Sequence, residues 1–216
     1  MADIPAGHEF YSGAFADGEA TYVYIPNGVG GVIFDGSFQY LRRHTDSVYG
    51  AEGAFDKNQK LGDWTFYSKT PQASCKLNTY FLNGVIYGDL YLAIEHKTDG
   101  YTEDLSMTVI NGEINGRFTG HFDKGYFTGI CDDNGYPDGT WTLAVKNGRK
   151  TTLTKKEIWV HGVLKEAYEE GADKKRSPME PCLRDRINLI LMNDVSQLLN
   201  IIPQGTQDDV LHVHRK

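Results

Sequence analysis

The chain has 216 residues, 40% of them hydrophobic and 24% charged, with a formal net charge of −7. That length suits one large domain or a domain with an appendage, and the acidic balance excludes a phosphate-binding surface of the nucleic-acid type, which needs clustered Lys and Arg. No apolar run approaches the ~18 residues of a membrane-spanning helix, and Met1-Ala2-Asp3-Ile4-Pro5 lacks a signal peptide's basic start and apolar core, so a soluble, cytoplasmic protein is expected.

Glycine and aromatic residues set the fold class. There are 24 Gly, where an average chain of this length holds about 15, together with 13 Tyr, 10 Phe and 3 Trp. Gly suits turns and aromatics suit pleated, half-buried surfaces, so an all-β protein is predicted. Ten Asn-Gly or Asp-Gly pairs, beginning with Asp17-Gly18 and ending with Asn147-Gly148, supply the positive φ angles of tight hairpins. Between them the chain alternates as strands do: in residues 21–25, Tyr22 and Tyr24 face one way and Val23 and Ile25 the other. Further strands are predicted at 32–34, 64–67, 79–82, 90–94, 106–110, 117–122, 141–145 and 157–160.

A spaced pattern runs through these strands: a turn residue, Gly four positions later, then a bulky residue two further on. It occurs as Asn58…Gly62…Trp64, Gly84…Gly88…Leu90, Gly112…Gly116…Phe118, Gly125…Gly129…Cys131 and Gly135…Gly139…Trp141. Self-similarity of this kind marks a repeat architecture. We expect a meander of hairpins in which Trp64, Leu90, Phe118 and Trp141 form one interior row, with each preceding Gly admitting a neighbouring backbone. Cys75, Cys131 and Cys182 are widely spaced and odd in number, which fits buried thiols better than a disulfide framework.

The repeat sheet is expected over residues 1–165, a polar linker over 166–177, an amphipathic helix over 178–202 and a flexible tail over 203–216. Ser177, Pro178 and Glu180 resemble a helix start, with Ser as N-cap and Pro in the first position. Leu183, Ile187, Ile190 or Leu191, Val195 and Leu198 make one apolar stripe. The stripe suits a helix that caps the sheet; it also suits partner binding or dimerisation. Lys174-Lys175-Arg176 reads as a solvated part of the linker.

Tyr11-Ser12-Gly13-Ala14-Phe15-Ala16-Asp17-Gly18 resembles the Tyr-x-Gly-x-aromatic-x-x-Gly core of MORN repeats, and Phe118-Thr119-Gly120-His121-Phe122 through Gly125 and Gly129 resembles it again. Units such as Gly62-Asp63-Trp64-Thr65-Phe66-Tyr67 look more like bacterial MORN-variant, antitoxin-like proteins. The resemblance spans about residues 10–165, with irregular spacing. It implies a mainly β, elongated, curved meander of antiparallel hairpins, here with the C-terminal helix as cap, that scaffolds or docks protein partners.

Chemistry is sparse by comparison. His212 and His214 could share a face of a strand, yet zinc needs three or four ligands. Asp132, Asp133 and Asp138 surround an Asn-Gly turn, and the EF-hand's twelfth position is Leu143, not Glu. Asp63, Asp89, Glu103 and Asp104 are carboxylates without a catalytic spacing; Asp63 and Asp89 should line up opposite the Trp64/Leu90 row. Motifs for nucleophilic, phosphate-binding or zinc-protease chemistry do not occur. No catalytic, cofactor-binding or metal-binding residue is therefore assigned. Tyr11, Tyr22, Tyr24, Tyr40, Tyr67, Tyr80, Tyr87, Tyr91 and Tyr126 lie on or near strands, and those facing outward could form a platform.

The leading expectation is a non-enzymatic protein-interaction or scaffold module, with an antitoxin role as a special case. The alternative is a carbohydrate- or envelope-binding protein using outward aromatics, and the third is an enzyme whose site lies in the N-terminal region or under the helix. A homodimer through a sheet edge or the helix is open in each case.

Overall fold

A computed structural model describes residues 4–203. The expected tail falls almost wholly outside them. Fourteen antiparallel strands form one open, uncurled sheet in strict chain order. They are β1 (Glu9–Phe15), β2 (Gly18–Pro26), β3 (Val32–Arg43), β4 (Val48–Asp56), β5 (Gln59–Lys69), β6 (Ala73–Leu82), β7 (Val85–His96), β8 (Thr102–Ile110), β9 (Glu113–Phe122), β10 (Gly125–Cys131), β11 (Pro137–Asn147), β12 (Lys150–Val160), β13 (Val163–Gly171) and β14 (Arg176–Pro178). A meander results because every connection is too short for a crossover, and short loops join antiparallel neighbours.

Every second strand pair carries a register shift. These shifts fall between β2 and β3, β4 and β5, β6 and β7, β8 and β9, β10 and β11, and β12 and β13, and one further shift falls between β11 and β12 at Val145/Lys146. Gly62, Gly88, Gly116 and Gly139 sit at four of them with φ of 75°, 103°, 70° and 63°. An added Cβ would meet nothing within 4 Å at Gly62, Gly116 and Gly139. These glycines are needed for a left-handed bulge conformation, not for the close backbone approach expected from the sequence. Close approach belongs to other glycines: a Cβ on Gly53 would lie 2.2 Å from Trp64, and one on Gly129 2.4 Å from Phe118. Gly129 thus marks no bulge of its own, and the Gly125…Cys131 stretch is strand β10, not a fifth copy of the turn-and-bulge unit.

The turns on that edge also link successive hairpins. Asn83 and Gly84 both have positive φ, as do Asn111 and Gly112, and His161 and Gly162, which is the geometry of a two-residue hairpin turn matched to strand twist. The Gly84 amide donates to the Lys60 carbonyl at 2.9 Å, Gly112 to Ile86 at 3.0 Å and Gly162 to Pro137 at 2.8 Å. Each turn is therefore bonded to the hairpin before it.

The bulge sets the bulky residue after it on the inner face. Trp64 pairs with Thr79, Thr79 with Leu90, Leu90 with Met107 and Met107 with Phe118. Phe118 stands opposite Gly129, over which Trp141 packs with ring centroids 4.8 Å apart. Trp64, Leu90, Phe118 and Trp141 are all buried in one core. The two indoles also repair the ladder: Trp64 Nε1 donates to the Ala54 carbonyl at 3.1 Å and Trp141 Nε1 to Ile130 at 2.8 Å, each acceptor lying at its own register shift. A buried carbonyl freed by a bulge is costly unless a donor reaches it.

The C-terminal helix covers this face. It comprises α1 (Leu183–Ile190), a π-helical turn (Leu191–Val195) and α2 (Ser196–Leu199), running from above β11 to above β5. Leu183, Ile187, Leu191, Val195, Leu198 and Leu199 are buried against the sheet. The apolar stripe is consumed there, so it is not a free surface for a partner helix.

Two sequence boundaries need correction. Residues 166–177 are not a linker: they form the end of β13, a short turn and the start of β14, with Lys155 of β12 opposite Glu169. Ser177 and Pro178 end the edge strand β14, a position that tolerates a proline, and the helix begins at Leu183. Its N-cap residue Cys182 makes no side-chain cap. Glu157 of β12 supplies the acceptors instead. Its fully buried carboxylate takes the Cys182 amide on Oε1 at 2.6 Å and the Leu183 amide at 2.8 Å, while Oε2 takes Trp159 Nε1 at 3.1 Å. A negative charge at a helix N-terminus satisfies orphan amides and the macrodipole together.

Candidate functional site

With the inner face covered, the outer face holds the residues free to meet other molecules. Alternation along β5, β6 and β7 places Asp63 and Thr65, Asn78 and Tyr80, and Tyr87, Asp89 and Tyr91 outward while Trp64, Thr79 and Leu90 point in. The register shift between β6 and β7, with Gly88 at φ 103°, lets Tyr80 sit between Tyr87 and Asp89 instead of facing one residue. Together these side chains line an open hollow of about 620 Å³.

The hollow combines aromatic surface with negative charge. Tyr80, Tyr87 and Tyr91 are 38%, 39% and 42% exposed, high for rings of this size within strands. Asp63 pairs across the ladder with Tyr80, and Asn78 with Tyr91. Thr65 Oγ1 donates to Asn78 Oδ1 at 3.0 Å, fixing the floor between them. Neither Asp63 nor Asp89 forms an ion pair among the described residues, and no Lys, Arg or His lines the hollow. Asp63 and Asp89 do stand opposite the Trp64/Leu90 row, as the repeat spacing predicts.

The remaining tyrosines are used differently. Tyr22 and Tyr40 are core residues, and Tyr11 stacks on Tyr22 at 4.8 Å. Burial, reinforced by the hydrogen bond that the Tyr40 hydroxyl donates to Asp17, pushes its pKa up to about 12. Tyr126 lies under the Lys146 ammonium at 5.1 Å. Among nine candidate rings, three gather on the outer face around one depression.

The other candidate residues hold turns and strands in place. Asp132 Oδ1 accepts the amides of Asn134 at 2.9 Å and Tyr136 at 3.0 Å. Burial opposes ionisation of Asp132, yet these amide donors and His161 together hold its pKa below the ordinary carboxylate value. Asp138 accepts the His161 amide at 3.1 Å, and Asp133 faces Asn115 at 3.4 Å. Asp104 bonds His121 Nδ1 at 2.9 Å on the outer side, whereas Glu103 faces the helix and lies 3.6 Å from His96. The four acids named as candidates are thus split between two faces. His212 and His214 lie outside the described residues. No group of three or more His, Cys, Asp or Glu among the described residues is placed to hold a metal ion.

At the N-terminal end, His8 Nε2 meets Asp35 at 2.7 Å, and Arg42 pairs with Asp17 at 2.7 Å. With the Tyr40 hydroxyl also donating to Asp17, these contacts tie the segment before β1 and the β1–β2 turn to β3. The basic cluster is also partly paired: Arg176 lies over the Tyr168 ring at 4.5 Å, and Lys175 is 3.7 Å from Asp173. No helix among the described residues is long and apolar enough to cross a membrane. No protein-family model matches the chain, and no curated protein matches it.

Proposed function

We propose that this chain is a non-enzymatic protein-interaction module built of MORN-like hairpin repeats, with the outer face of the sheet as its working surface. The observation that carries this reading is the grouping of Tyr80, Tyr87 and Tyr91 beside the unpaired Asp63 and Asp89, on the face the helix does not cover. Exposed aromatic rings are costly to leave in water and are the side chains that dominate interface energetics. The sheet beneath them is stiff, bonded strand to strand and turn to turn, so a partner meets a surface that is already ordered. An antitoxin role would be one instance, with a toxin as the partner.

The test is position-specific cross-linking in the native host. A photoreactive phenylalanine analogue at Tyr87, and a second at Val163 as a control on an exposed site elsewhere, are activated in cells and the adducts identified. One stoichiometric protein adduct from position 87, missing from position 163, supports the module. Adducts confined to position 163, or none from position 87 while the native protein co-purifies with a partner, refute the outer face as the working surface.

A further inference from the structure

We infer that the tyrosine hollow receives an arginine- or lysine-bearing segment of a protein partner, an inference that rests on the interaction-module reading above. Charge complementarity carries the choice. Asp63 and Asp89 enter the hollow from β5 and β7 with no cation among its lining residues. A carboxylate without a partner beside an aromatic face favours a positive group, which gains from the ring quadrupole and the carboxylate together. An acidic segment would meet repulsion from both aspartates. The chain's own net charge of −7 adds to the attraction at long range.

The geometry fits a side chain reaching in from a backbone laid over the strands. The hollow is wide and open, so a guanidinium or ammonium enters without displacing the sheet. Tyr80, Tyr87 and Tyr91 offer apolar ring surface to the aliphatic stem of Arg or Lys while the two carboxylates meet its head. Cation–π contacts elsewhere in the protein, such as Arg42 over Tyr49 at 4.7 Å and Arg186 over Phe122 at 4.4 Å, show the same chemistry in use within the fold.

The experiment titrates the full chain with three fluorescent probes: an Arg-Gly hexapeptide repeat, an oligo-glutamate of equal length and a neutral maltohexaose. The arginine peptide is expected to bind, the other two not, and binding is expected to weaken as salt rises from 50 to 500 mM. Asp63→Asn with Asp89→Asn, and separately Tyr87→Ala with Tyr91→Ala, should each weaken binding about five- to tenfold, the size of a few exposed charge and cation–π contacts. Asp46→Asn with Asp99→Asn removes the same net charge from distant turns and should change it less than twofold. All six sites are solvent-facing, and unchanged urea midpoints confirm that the variants fold. Equal weakening by the distant pair, or preference for maltohexaose, overturns the assignment. If a partner cross-linked from position 87 is retained in full by the Asp63/Asp89 variant, the cationic occupant is wrong and the module reading survives.

Discussion

Glu157 joins the two layers of the fold, and its removal makes the sharpest test of how they are held. Replacing it by Ala strands three donors in a region without solvent on the sheet side: the Cys182 and Leu183 amides and the Trp159 indole. A hydrogen bond to a charged acceptor contributes about 1.5–3 kcal/mol, and a buried donor left alone costs about 1–3 kcal/mol. Leu183 is buried and takes the full penalty, while half-exposed Cys182 regains water and takes less. Loss of charge at the helix start costs up to ~2 kcal/mol more. Together these put Glu157→Ala at about 4 kcal/mol. Glu157→Gln keeps one carbonyl oxygen for the two amides but turns an NH₂ toward the Trp159 N–H, and should cost about 2 kcal/mol. Glu157→Leu separates acceptors from volume. It refills the space and removes the desolvation cost of a buried charge, which in other settings is neutral or stabilising; here it should still lose about 3 kcal/mol because the amides remain unmet. Urea unfolding followed by tryptophan fluorescence gives the totals, and hydrogen exchange of the amides from 183 to 187 locates the loss. A Leu variant as stable as the native chain would refute the capping role outright.

The two classes of glycine should separate cleanly. Gly53→Ala drives a Cβ to 2.2 Å from a Trp64 ring already packed on Phe38, Phe55 and Phe66, so about 3 kcal/mol is expected; Gly116→Ala has open space and only a left-handed φ of 70° to bear, at about 1–2 kcal/mol. The reverse order in urea midpoints would show that the bulge, not the ring contact, limits stability. Asp194, in the π-helical turn, has its pKa raised first by burial and then by the Glu103 charge, with His96 opposing. Its native state therefore holds a proton more tightly than the unfolded chain, so this stabilisation is present at low pH and is lost as pH climbs from the ordinary carboxylate value through the raised one. Asp194→Asn should unfold at higher urea than the native chain at pH 7, with the gap closing near pH 3; a gap that widens in acid would contradict this. Burial also pushes the Cys131 thiol up to about 12, so in a thiol-labelling time course at pH 8 Cys131 should react only at the rate of global unfolding, after Cys75 and Cys182. Labelling of Cys131 without urea at the rate of the other two would place it outside the core.

The row of Trp64, Leu90, Phe118 and Trp141 was legible because a fixed offset from a turn fixes a face, whatever lies between. The role of the Gly two residues earlier was not. A bulge and a close approach leave the same letter in the sequence, and only φ tells them apart. Strand β4 escaped the pattern for a related reason. Gly50 and Gly53 break its apolar alternation, yet both are required there by rings on β5: an added Cβ would lie 2.3 Å from Tyr67 at one and 2.2 Å from Trp64 at the other. The helix start was misplaced because its cap lies 25 residues upstream on β12, and a local motif, Ser177-Pro178, imitated it. For the candidate site, nine tyrosines could be named but not sorted. Which three converge depends on the shift between β6 and β7, set by a glycine whose neighbours give no hint of it.

These features also narrow where the proposed partner can sit. The inner face is filled, since the apolar side of the helix lies on the Trp64–Trp141 row and its first amides are bound to Glu157. Strand β14 is three residues long and ends in Pro178, which cannot extend a ladder, so pairing at that edge is resisted. Strand β1 is the longer edge, and Phe10 on it is 54% exposed, but its acid Glu9 is already engaged by the Tyr24 hydroxyl. A strand adding there would gain backbone bonds with little side-chain selectivity. The outer face over β5 to β7 differs in kind, because aromatic area and uncompensated charge coincide there on strands whose positions are fixed from both sides. Selective recognition needs that coincidence: the rings supply contact energy, and the carboxylates reject partners of the wrong sign.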